Sequence, residues 1–241
     1  MGTARPRGRV EAGLLSDTPR LYGRRRGRKL RVGQARLLNA RQGVIALPEE
    51  VPDIDPRRFF PEPVAAVWLE IGFGGGEHLA HQAMAHPGIG FIGCEVFENG
   101  VVKLLAEIER QGMANLRVLI DDARPFLERL TKASLERVFI LFPDPWPKER
   151  HKKRRLVSRP TLDALARAMR AGAELRLASD DPDYFAAMMT LIETHPDFVL
   201  EAEGKGDWAE RPADWPMTRY ERKALAAGRV PAFLRCRRFP P

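Results

Sequence analysis

The chain has 241 residues, of which 44% are hydrophobic and 30% charged, a composition ordinary for a soluble globular protein with room for one sizeable α/β domain and an appendage. Its two cysteines, Cys94 and Cys236, form no Cys-x-x-Cys pair, so neither a disulfide framework nor a cysteine-rich zinc site is indicated. No apolar run approaches the length of a membrane span, and the basic N-terminus lacks the apolar stretch of a secretory signal. We therefore expect a protein of the reducing cytoplasm, with no membrane partner and no metal.

Positive charge is concentrated near the N-terminus. The whole chain has a formal net charge of +8, but residues 1–41 alone hold twelve Lys and Arg against two acids, a net of +10. The other 200 residues therefore sum to −2. We predict a basic, partly flexible arm over residues 1–50 and a nearly neutral domain over residues 51–241. This distribution favours a polyanionic partner, although a disordered, solubilising tail explains residues 1–20 equally well.

Beyond the arm and a proline-rich linker over residues 51–63, apolar strands alternate with amphipathic helices. The strands are predicted at residues 64–71, 90–96, 116–120, 137–142 and 174–179, and the helices at residues 77–85, 99–111, 123–130, 160–169 and 182–194. Gly172 is predicted to end the fourth helix, and the tail from residue 198 reads as a strand, a loop and a strand over residues 232–239. The alternation predicts an α/β fold with a mostly parallel sheet, helices on both faces, and binding sites at the carboxyl ends of the strands.

A glycine turn follows the first strand, where residues 69–76 read Leu-Glu-Ile-Gly-Phe-Gly-Gly-Gly. Glycines let a ligand approach the backbone closely, and Glu95, nineteen residues after Gly76, has the spacing of an acid that binds ribose hydroxyls. A dinucleotide-binding turn would have glycine in place of Glu77, and an acid at a helix N-terminus repels a pyrophosphate. S-adenosylmethionine, which carries adenosine without phosphates, fits better, and Glu70 suits its cationic amino-acid end. A tight turn with no ligand is the alternative.

Acids also follow the third and fifth strands. Asp122 could meet the adenine amino group at the neighbouring strand edge, and it could equally cap the helix that follows. Asp180 could accept hydrogen bonds from the N1–H and N2–H₂ donors of guanine, which would discriminate against adenine. Asp181 and Pro182 would begin a helix well, so a capping role is the alternative there.

The most distinctive segment is residues 142–148, Phe-Pro-Asp-Pro-Trp-Pro-Lys, after the fourth strand. Its three prolines, spaced two apart, predict a stiff extended loop at the carboxyl end of that strand. A methyl acceptor should meet the cofactor here, and guanine N7 needs no deprotonation before it is methylated. Asp144 would stabilise the positive charge that develops on the purine. Trp146 would pack beside the base or serve as a structural wedge.

A basic run follows the proline loop at once. We expect Lys148 and this run to hold a nucleic-acid backbone, because the cations adjoin the predicted active loop. A solvated cationic face is the alternative. The basic run consists of Arg150, His151, Lys152, Lys153, Arg154 and Arg155.

Together these stretches resemble the bacterial tRNA (guanine-N(7)-)-methyltransferase family over most of the chain, from Tyr22 to the C-terminus. The most specific matches are residues 142–148, residues 69–74 and the segment Thr-Arg-Tyr-Glu at residues 218–221. The resemblance implies a Rossmann-like class I S-adenosylmethionine-dependent methyltransferase with a mostly parallel, seven-stranded sheet. It also implies methylation of N7 of a guanosine in the variable loop of tRNA (position 46), by a monomer or a weak homodimer.

The resemblance implies roles for individual residues as well. Asp144 is expected to be catalytic. The residues expected to bind the cofactor are Glu70, Gly72, Gly74, Glu95, Asp122 and Asp144. Those expected to bind the substrate are Lys148, Asp180, Thr218, Arg219, Tyr220 and Glu221, and the basic run is expected to touch RNA. Glu149, an acid where the basic run usually continues, and Ser179, where threonine is more usual, depart from the family pattern.

Other interpretations remain open from the sequence alone. Glu77 and the lack of an evident hydride-transfer site count against an oxidoreductase with a nucleotide cofactor. A non-catalytic, basic RNA-binding protein with a Rossmann-like fold would predict a degraded glycine turn or a lost loop acid, yet Glu70, Glu95 and Asp144 are all present. Composition does not exclude a methyltransferase that acts on another nucleic acid or on protein.

Overall fold

The computed structural model describes residues 22–40, 43–47, 52–201 and 207–239. The strands in these ranges are β1 Ala66–Ile71, β2 Ile89–Cys94, β3 Leu116–Leu119, β4 Leu135–Leu141, β5 Met169–Ser179, β6 Phe198–Leu200 and β7 Ala232–Arg238. They form one sheet in the order β3-β2-β1-β4-β5-β7-β6. The first five strands in that order are parallel, whereas β7 pairs antiparallel with both β5 and β6.

Helices cover both faces of this sheet. They are α1 Val32–Ala40, α2 Glu77–Ala85, α3 Glu98–Gln111, α4 Ala123–Arg129, α5 Arg159–Ala168, α6 Pro182–Glu193 and α7 Arg219–Ala226, with short 3-10 helices at Pro56–Phe59, Glu149–Arg154 and Asp207–Ala209. Buried side chains of α2 and α3 share one apolar cluster with Trp68, and those of α4, α5 and α6 share another with Val67 and Leu69. Across the described ranges, no helix has the length and apolar character that crossing a membrane requires.

Burial on both faces explains the sequence of the central strand β1. All six of its residues are buried, and successive side chains enter opposite apolar clusters. A strand buried on both faces is apolar along its length instead of alternating with polar residues. Glu70 is the one acid in β1, and it is buried too. A buried acid in a central strand needs a partner, and its partner proves to be part of the site described below.

Most predicted element boundaries agree with the structure to within two residues, and the helix predicted at residues 77–85 begins and ends as expected. The prediction that Gly172 ends a helix was wrong. The preceding helix, α5, ends at Ala168, and β5 starts at Met169, five residues before the predicted strand. Gly172 has φ +75° inside β5, in the stretch where the β4–β5 pairing shifts register. It therefore lets the strand bulge, a conformation that glycine adopts without strain.

Two helices were not predicted. The first, α1, lies within the predicted arm and contains no fully buried residue, so its apolar periodicity is weak. The second, α7, lies in the tail that was predicted as a loop, and only Glu221 and Ala224 of its eight residues are buried. Both helices form by packing on the domain, which a local pattern does not reveal.

The described part of the predicted arm lies on the domain. The Arg26 Nε is 3.0 Å from a carboxylate oxygen of Glu98 at the start of α3. The side chain of Asn99 accepts from the Gly27 N–H at 2.7 Å and donates to the Arg28 carbonyl at 2.8 Å. We call this segment, residues 22–28, the strap. The boundary between arm and domain at residue 51 stays a prediction, and residues 1–21 lie outside the described ranges.

The strand order places a topological switch point between β1 and β4, because the chain proceeds from β1 to β2 and β3 on one side and from β4 to β5 on the other. Ligands of open α/β sheets bind in the crevice at the carboxyl ends of such strands. One side of this crevice is closely packed, since a Cβ atom at Gly100 in α3 would stand 2.0 Å from the carbonyl oxygen of Gly74 in the glycine turn. Only a residue without a side chain allows α3 to approach the turn so closely.

We expect Gly100→Ala to lower the free energy of unfolding by about 1–3 kcal/mol, because the added methyl group would overlap the Gly74 carbonyl. Gly33→Ala in α1 is the matched helical control, since a Cβ atom there has no neighbour within 4 Å. That control should be neutral or slightly stabilising, because alanine favours helix. Chemical denaturation followed by circular dichroism measures both variants, and equal stabilities would contradict the tight packing of α3 on the turn.

Candidate active site

A cavity of about 350 Å³ opens at the carboxyl ends of β1 to β4, at the switch point. Its volume lies within the usual range of small-molecule sites. Each of these strands contributes to the wall through the loop that follows it, and the strap and α7 close two further sides. The residues that line the cavity include Tyr22, Gly72, Glu95, Asp122, Asp144, Trp146, Arg154 and Tyr220.

The glycine turn gives a ligand access to the backbone. Gly72 has φ +76°, and a Cβ atom built there would have no neighbouring atom within 4 Å. Because Gly72 has no side chain, this open space of the cavity reaches the backbone. Gly74 has φ +58°, and a Cβ atom there would stand 2.6 Å from the ring of Tyr220. The first turn of α7 therefore lies directly over the glycine turn. This contact brings a residue of the C-terminal tail into the wall of the cavity.

Glu95 ties the glycine turn to the end of β2. One carboxylate oxygen accepts the backbone N–H of Gly74 at 2.8 Å. The other accepts the N–H groups of Val96 at 2.8 Å and Phe97 at 2.9 Å. Burial raises the pKa of Glu95, and the nearby charge of Asp144 adds to this, whereas the three N–H donors act in the opposite direction. A carboxylate has about four acceptor sites, so three bonds leave capacity for a hydroxyl donor.

Asp122 caps the helix that follows it, and its contact with adenine stays a prediction. Its carboxylate caps α4 by accepting from the Arg124 N–H at 3.0 Å, and it pairs with the Arg124 guanidinium at 2.5 Å. The same side chain lines the cavity after β3. Asp121 beside it is exposed and lies 3.6 Å from the guanidinium of Arg25 in the strap. The strap and the β3 loop are therefore linked at the rim of the cavity.

Asp144 lies exposed on the cavity wall, in the proline loop after β4. Its carboxylate makes no hydrogen bond or ion pair with any other described residue. The sequence predicted an extended loop, but the loop is not extended throughout. Phe142 has φ +52° and Trp146 has φ +46°. Both residues precede a proline, and the left-handed region is strained for side chains of this size. The chain therefore bends sharply on either side of Asp144, and strain of this kind is typical of functional loops.

One arginine of the basic run forms part of the cavity wall. The Arg154 guanidinium lies 4.6 Å from the ring centre of Tyr22 and 5.0 Å from that of Trp146. The two rings are 6.4 Å apart and nearly perpendicular. The Arg154 Nε is buried without a hydrogen-bond partner among the described residues. Trp146 thus joins the proline loop to the strap through a cation between two rings.

The basic run divides into paired and exposed cations. Arg155 donates to the Pro145 carbonyl at 2.8 Å and pairs with Asp183 at 2.5 Å, and its side chain is only 8% exposed. Lys152 lies 2.9 Å from Glu149 and 3.4 Å from Asp183. Arg155 therefore braces the proline loop, and Lys152 shares its partner Asp183; the predicted contact with RNA did not include these roles. Lys148, Arg150 and Lys153 are exposed and make no ion pair with another described residue, and His151 lies half-buried beside Trp146.

The predicted substrate residues of the tail form the first turn of α7. Thr218 caps the helix by accepting from the Glu221 N–H at 3.2 Å, and Arg219 donates to the Tyr220 hydroxyl at 3.0 Å. Glu221 is buried, which raises its pKa. Asp180 does not line the cavity and instead pairs with Arg229, just after α7, at 2.7 Å.

Glu70 lies behind the glycine turn, outside the main cavity. A much smaller cavity of about 10 Å³ is lined by Glu70, Gly72, Thr218 and Tyr220. Gly72 and Tyr220 also line the main cavity, so the two spaces adjoin at these residues. His78, the partner of Glu70, was not predicted from the sequence. The cavity-lining strap was not predicted either, and its only signal was that the resemblance begins at Tyr22.

The chemistry of the wall fits a nucleoside with a cationic end. Glu95, Asp122 and Asp144 present carboxylates at the ends of three adjacent strands, where hydroxyl, amine and cationic groups would be held. Acids at these positions would repel a pyrophosphate. The described residues contain no group of three or more His, Cys, Asp or Glu side chains that could hold a metal ion.

The chain is similar to known methyltransferases over most of its length. A family model described as a putative methyltransferase matches residues 64–233. The tRNA (guanine-N(7)-)-methyltransferase of Rhodospirillum rubrum is 49% identical over 229 residues, covering 93% of this chain and 90% of the relative. That of Paramagnetospirillum magneticum is 47% identical, covering 92% and 94%. The solved 16S rRNA methyltransferase KamB resembles the fold with a TM-score of 0.55 at 17% identity, covering 73% of this chain and 89% of that one.

The sheet order, the glycine turn and the acids at the strand ends define an α/β methyltransferase with a Rossmann-like fold that uses S-adenosylmethionine. Within that class, the chain belongs to the tRNA (guanine-N(7)-)-methyltransferase family.

The raised pKa of Glu95 determines how its contribution to the free energy of unfolding changes with pH. A carboxyl whose folded-state pKa lies above its ordinary value of 4.5 contributes stability that is fully present below that value and is lost as the pH rises through the folded-state pKa. We therefore expect the free energy of unfolding of the wild type, relative to Glu95→Gln, to fall as the pH rises. Urea unfolding of both proteins from pH 4 to pH 8 measures this difference. A difference that grew with pH would contradict the burial of this carboxylate.

Proposed function

We propose that the protein transfers the methyl group of S-adenosyl-L-methionine to N7 of a guanosine in the variable loop of tRNA. The observation that carries this proposal is Asp144, an exposed carboxylate without a partner among the described residues, on the wall of the cavity at the switch point. The names of the relatives support tRNA as the substrate and guanine N7 as the acceptor. We infer that the protein acts in the cytoplasm, where tRNA is found, and that it is a monomer or a weak homodimer.

The cofactor would supply an electrophilic methyl group on a sulfonium. Gly72 would leave the backbone open to it, Glu95 would accept from its ribose hydroxyls, and Asp122, which lines the cavity, would accept from its adenine amino group. Glu70 would attract the cationic amino-acid end from behind the glycine turn. These residues bind and orient, and orientation is the main requirement of a direct methyl transfer.

Guanine N7 has a free lone pair, so the transfer needs no general base. The product purine carries a positive charge, and a fixed carboxylate nearby stabilises that charge as it develops. Asp144 would supply this field, because no cation of the described chain pairs with it. The bends at Phe142 and Trp146 hold the loop in one shape, so the carboxylate is preorganised.

The RNA would contact the surface beside this loop. Lys148, Arg150 and Lys153 are the exposed cations of that surface, and their charge suits phosphates. Thr218, Arg219, Tyr220 and Glu221 would meet the substrate from α7. Asp180 would reach a guanine donor edge only by exchanging its partner Arg229, since these two groups are paired.

Methyl transfer from labelled S-adenosylmethionine to unmodified tRNA transcripts tests the proposal. Chain cleavage at 7-methylguanosine locates the modified nucleotide, and one cleavage in the variable loop is the expected result. Transfer at another position, or to another nucleic acid only, would overturn the proposed acceptor. The absence of cofactor binding would overturn the enzymatic function altogether.

We expect Asp144→Asn to reduce turnover by about 10²- to 10³-fold, the usual effect of removing one electrostatic group from a transition state. The fold should be unaffected, because Asp144 is exposed and has no partner among the described residues. Glu62→Gln is the control, since Glu62 is also an exposed acid without a partner among the described residues and does not line the cavity. Single-turnover kinetics with saturating tRNA measures the step, and near-normal turnover of Asp144→Asn would refute the assigned role.

The double variant Arg150→Gln/Lys153→Gln should weaken tRNA binding. The slope of log K against log salt concentration should become shallower by about 0.7–0.9 per lost phosphate contact. Arg58→Gln/Lys132→Gln is the control, because neither cation belongs to the proline loop or the basic run. Lys132 lies just before β4, at the edge of the sheet opposite the cavity, and Arg58 lies in the Pro56–Phe59 helix. Filter binding at several salt concentrations gives both slopes, and identical slopes for the two double variants would exclude the proposed RNA surface.

A further inference from the structure

Glu70 is held by a histidine that is almost completely buried. The His78 Nδ1 lies 2.7 Å from the Glu70 Oε2, and the two side chains are 2% and 3% exposed. An ionised carboxylate only accepts hydrogen bonds, so with Glu70 ionised the donor of this bond is the Nδ1–H tautomer of His78. A polar contact of this length between two groups removed from water fixes both side chains.

The imidazole itself has little freedom to move. Its ring centre lies 4.7 Å from that of Phe139 and 5.2 Å from that of Trp215, nearly perpendicular to both. The other nitrogen, Nε2, is buried without a hydrogen-bond partner among the described residues. The bond to Glu70 is therefore the one polar contact that the described chain gives this ring. Two aromatic walls and one hydrogen bond define the position of the imidazole.

The remaining oxygen of Glu70 is free of hydrogen bonds within the described part of the chain. The carboxylate adjoins the small cavity behind the glycine turn, which Gly72 and Tyr220 share with the main cavity. An acid with one oxygen held and one oxygen open is suited to a cationic ligand group. A rigid partner such as His78 determines which oxygen is held.

We propose that His78 is a positioning residue for cofactor binding, which orients Glu70 toward the ammonium group of the amino-acid end of S-adenosylmethionine. This inference rests on the proposed function, because it takes S-adenosylmethionine as the ligand. His78 itself lines the small cavity, and its proposed effect on the ligand is exerted through the Glu70 carboxylate that it holds. The same pair in a purely structural role would support the fold without distinguishing one adenosine ligand from another.

Two ligands separate these roles. S-adenosylhomocysteine has the amino-acid end, whereas 5′-methylthioadenosine has the adenosine and the thioether without it. We expect His78→Phe to lower the affinity for S-adenosylhomocysteine by about tenfold, the effect of losing one charged hydrogen bond. The affinity for 5′-methylthioadenosine should change by less than about twofold. His78→Asn retains an N–H donor and should restore part of the loss. His81→Phe, on the exposed face of the same helix, is the matched control and should bind both ligands as the wild type does.

Isothermal titration calorimetry measures the affinities in the full-length protein. If His78→Phe lost the same affinity for both ligands, or lost affinity for neither, the positioning role would be overturned. If His78→Phe does not fold, nitrogen-15 spectra of the wild type provide the test, because the His78 Nδ1–H signal should shift with S-adenosylhomocysteine and not with 5′-methylthioadenosine. Identical responses to the two ligands would overturn the proposal. Failure of the proposed function would be distinct, since the wild type would then bind neither ligand.

Discussion

The carboxylate of Glu95 is the interaction on which the geometry of the site depends. It accepts backbone N–H groups from the glycine turn after β1 and from the loop after β2, and α3 begins immediately after Phe97. One side chain therefore fixes a turn, a strand end and a helix start relative to one another. Three donors oppose the cost of partly burying the charge, but burial has the larger effect and the pKa of Glu95 is raised. The cavity wall at Gly72 keeps its shape because this acid holds the turn beside it.

Much of the fold could be predicted because its central strands are buried on both faces and its first helices are amphipathic. Parallel strands end at one edge of a sheet, so the convergence of Glu95, Asp122 and Asp144 also followed from the sequence. The first turn of α7 could not be predicted to cover the glycine turn, because its contact with Gly74 joins residues far apart in the chain. His78 gave no local signal either, since a lone histidine beside an acid on a helix is usually solvated. The left-handed Phe142 and Trp146 contradict the preference of residues before proline, so only the structure reveals them.

The basic run shows why consecutive like charges need not share a function. Arg154 lies between two aromatic rings, and Arg155 holds the proline loop through a carbonyl and an acid. Arg150 and Lys153, with the same charge and only a few residues away, face solvent. A short 3-10 helix turns successive side chains in different directions, so the surface presents fewer cations than the sequence contains. The field at the loop is correspondingly weaker than the sequence suggests.

Asp183, in the first turn of α6, pairs with Lys152 and Arg155, and Arg155 holds the carbonyl of Pro145. The loop after β4 and the connection after β5 are thereby braced as one unit, and Glu95 holds a second unit together on the other side of the pocket. The strap links the two units, because Tyr22 contacts Arg154 beside the proline loop while Gly27 and Arg28 bind Asn99 at the start of α3. A change in the strap would therefore shift one side of the pocket relative to the other, although neither side is built from strap residues alone.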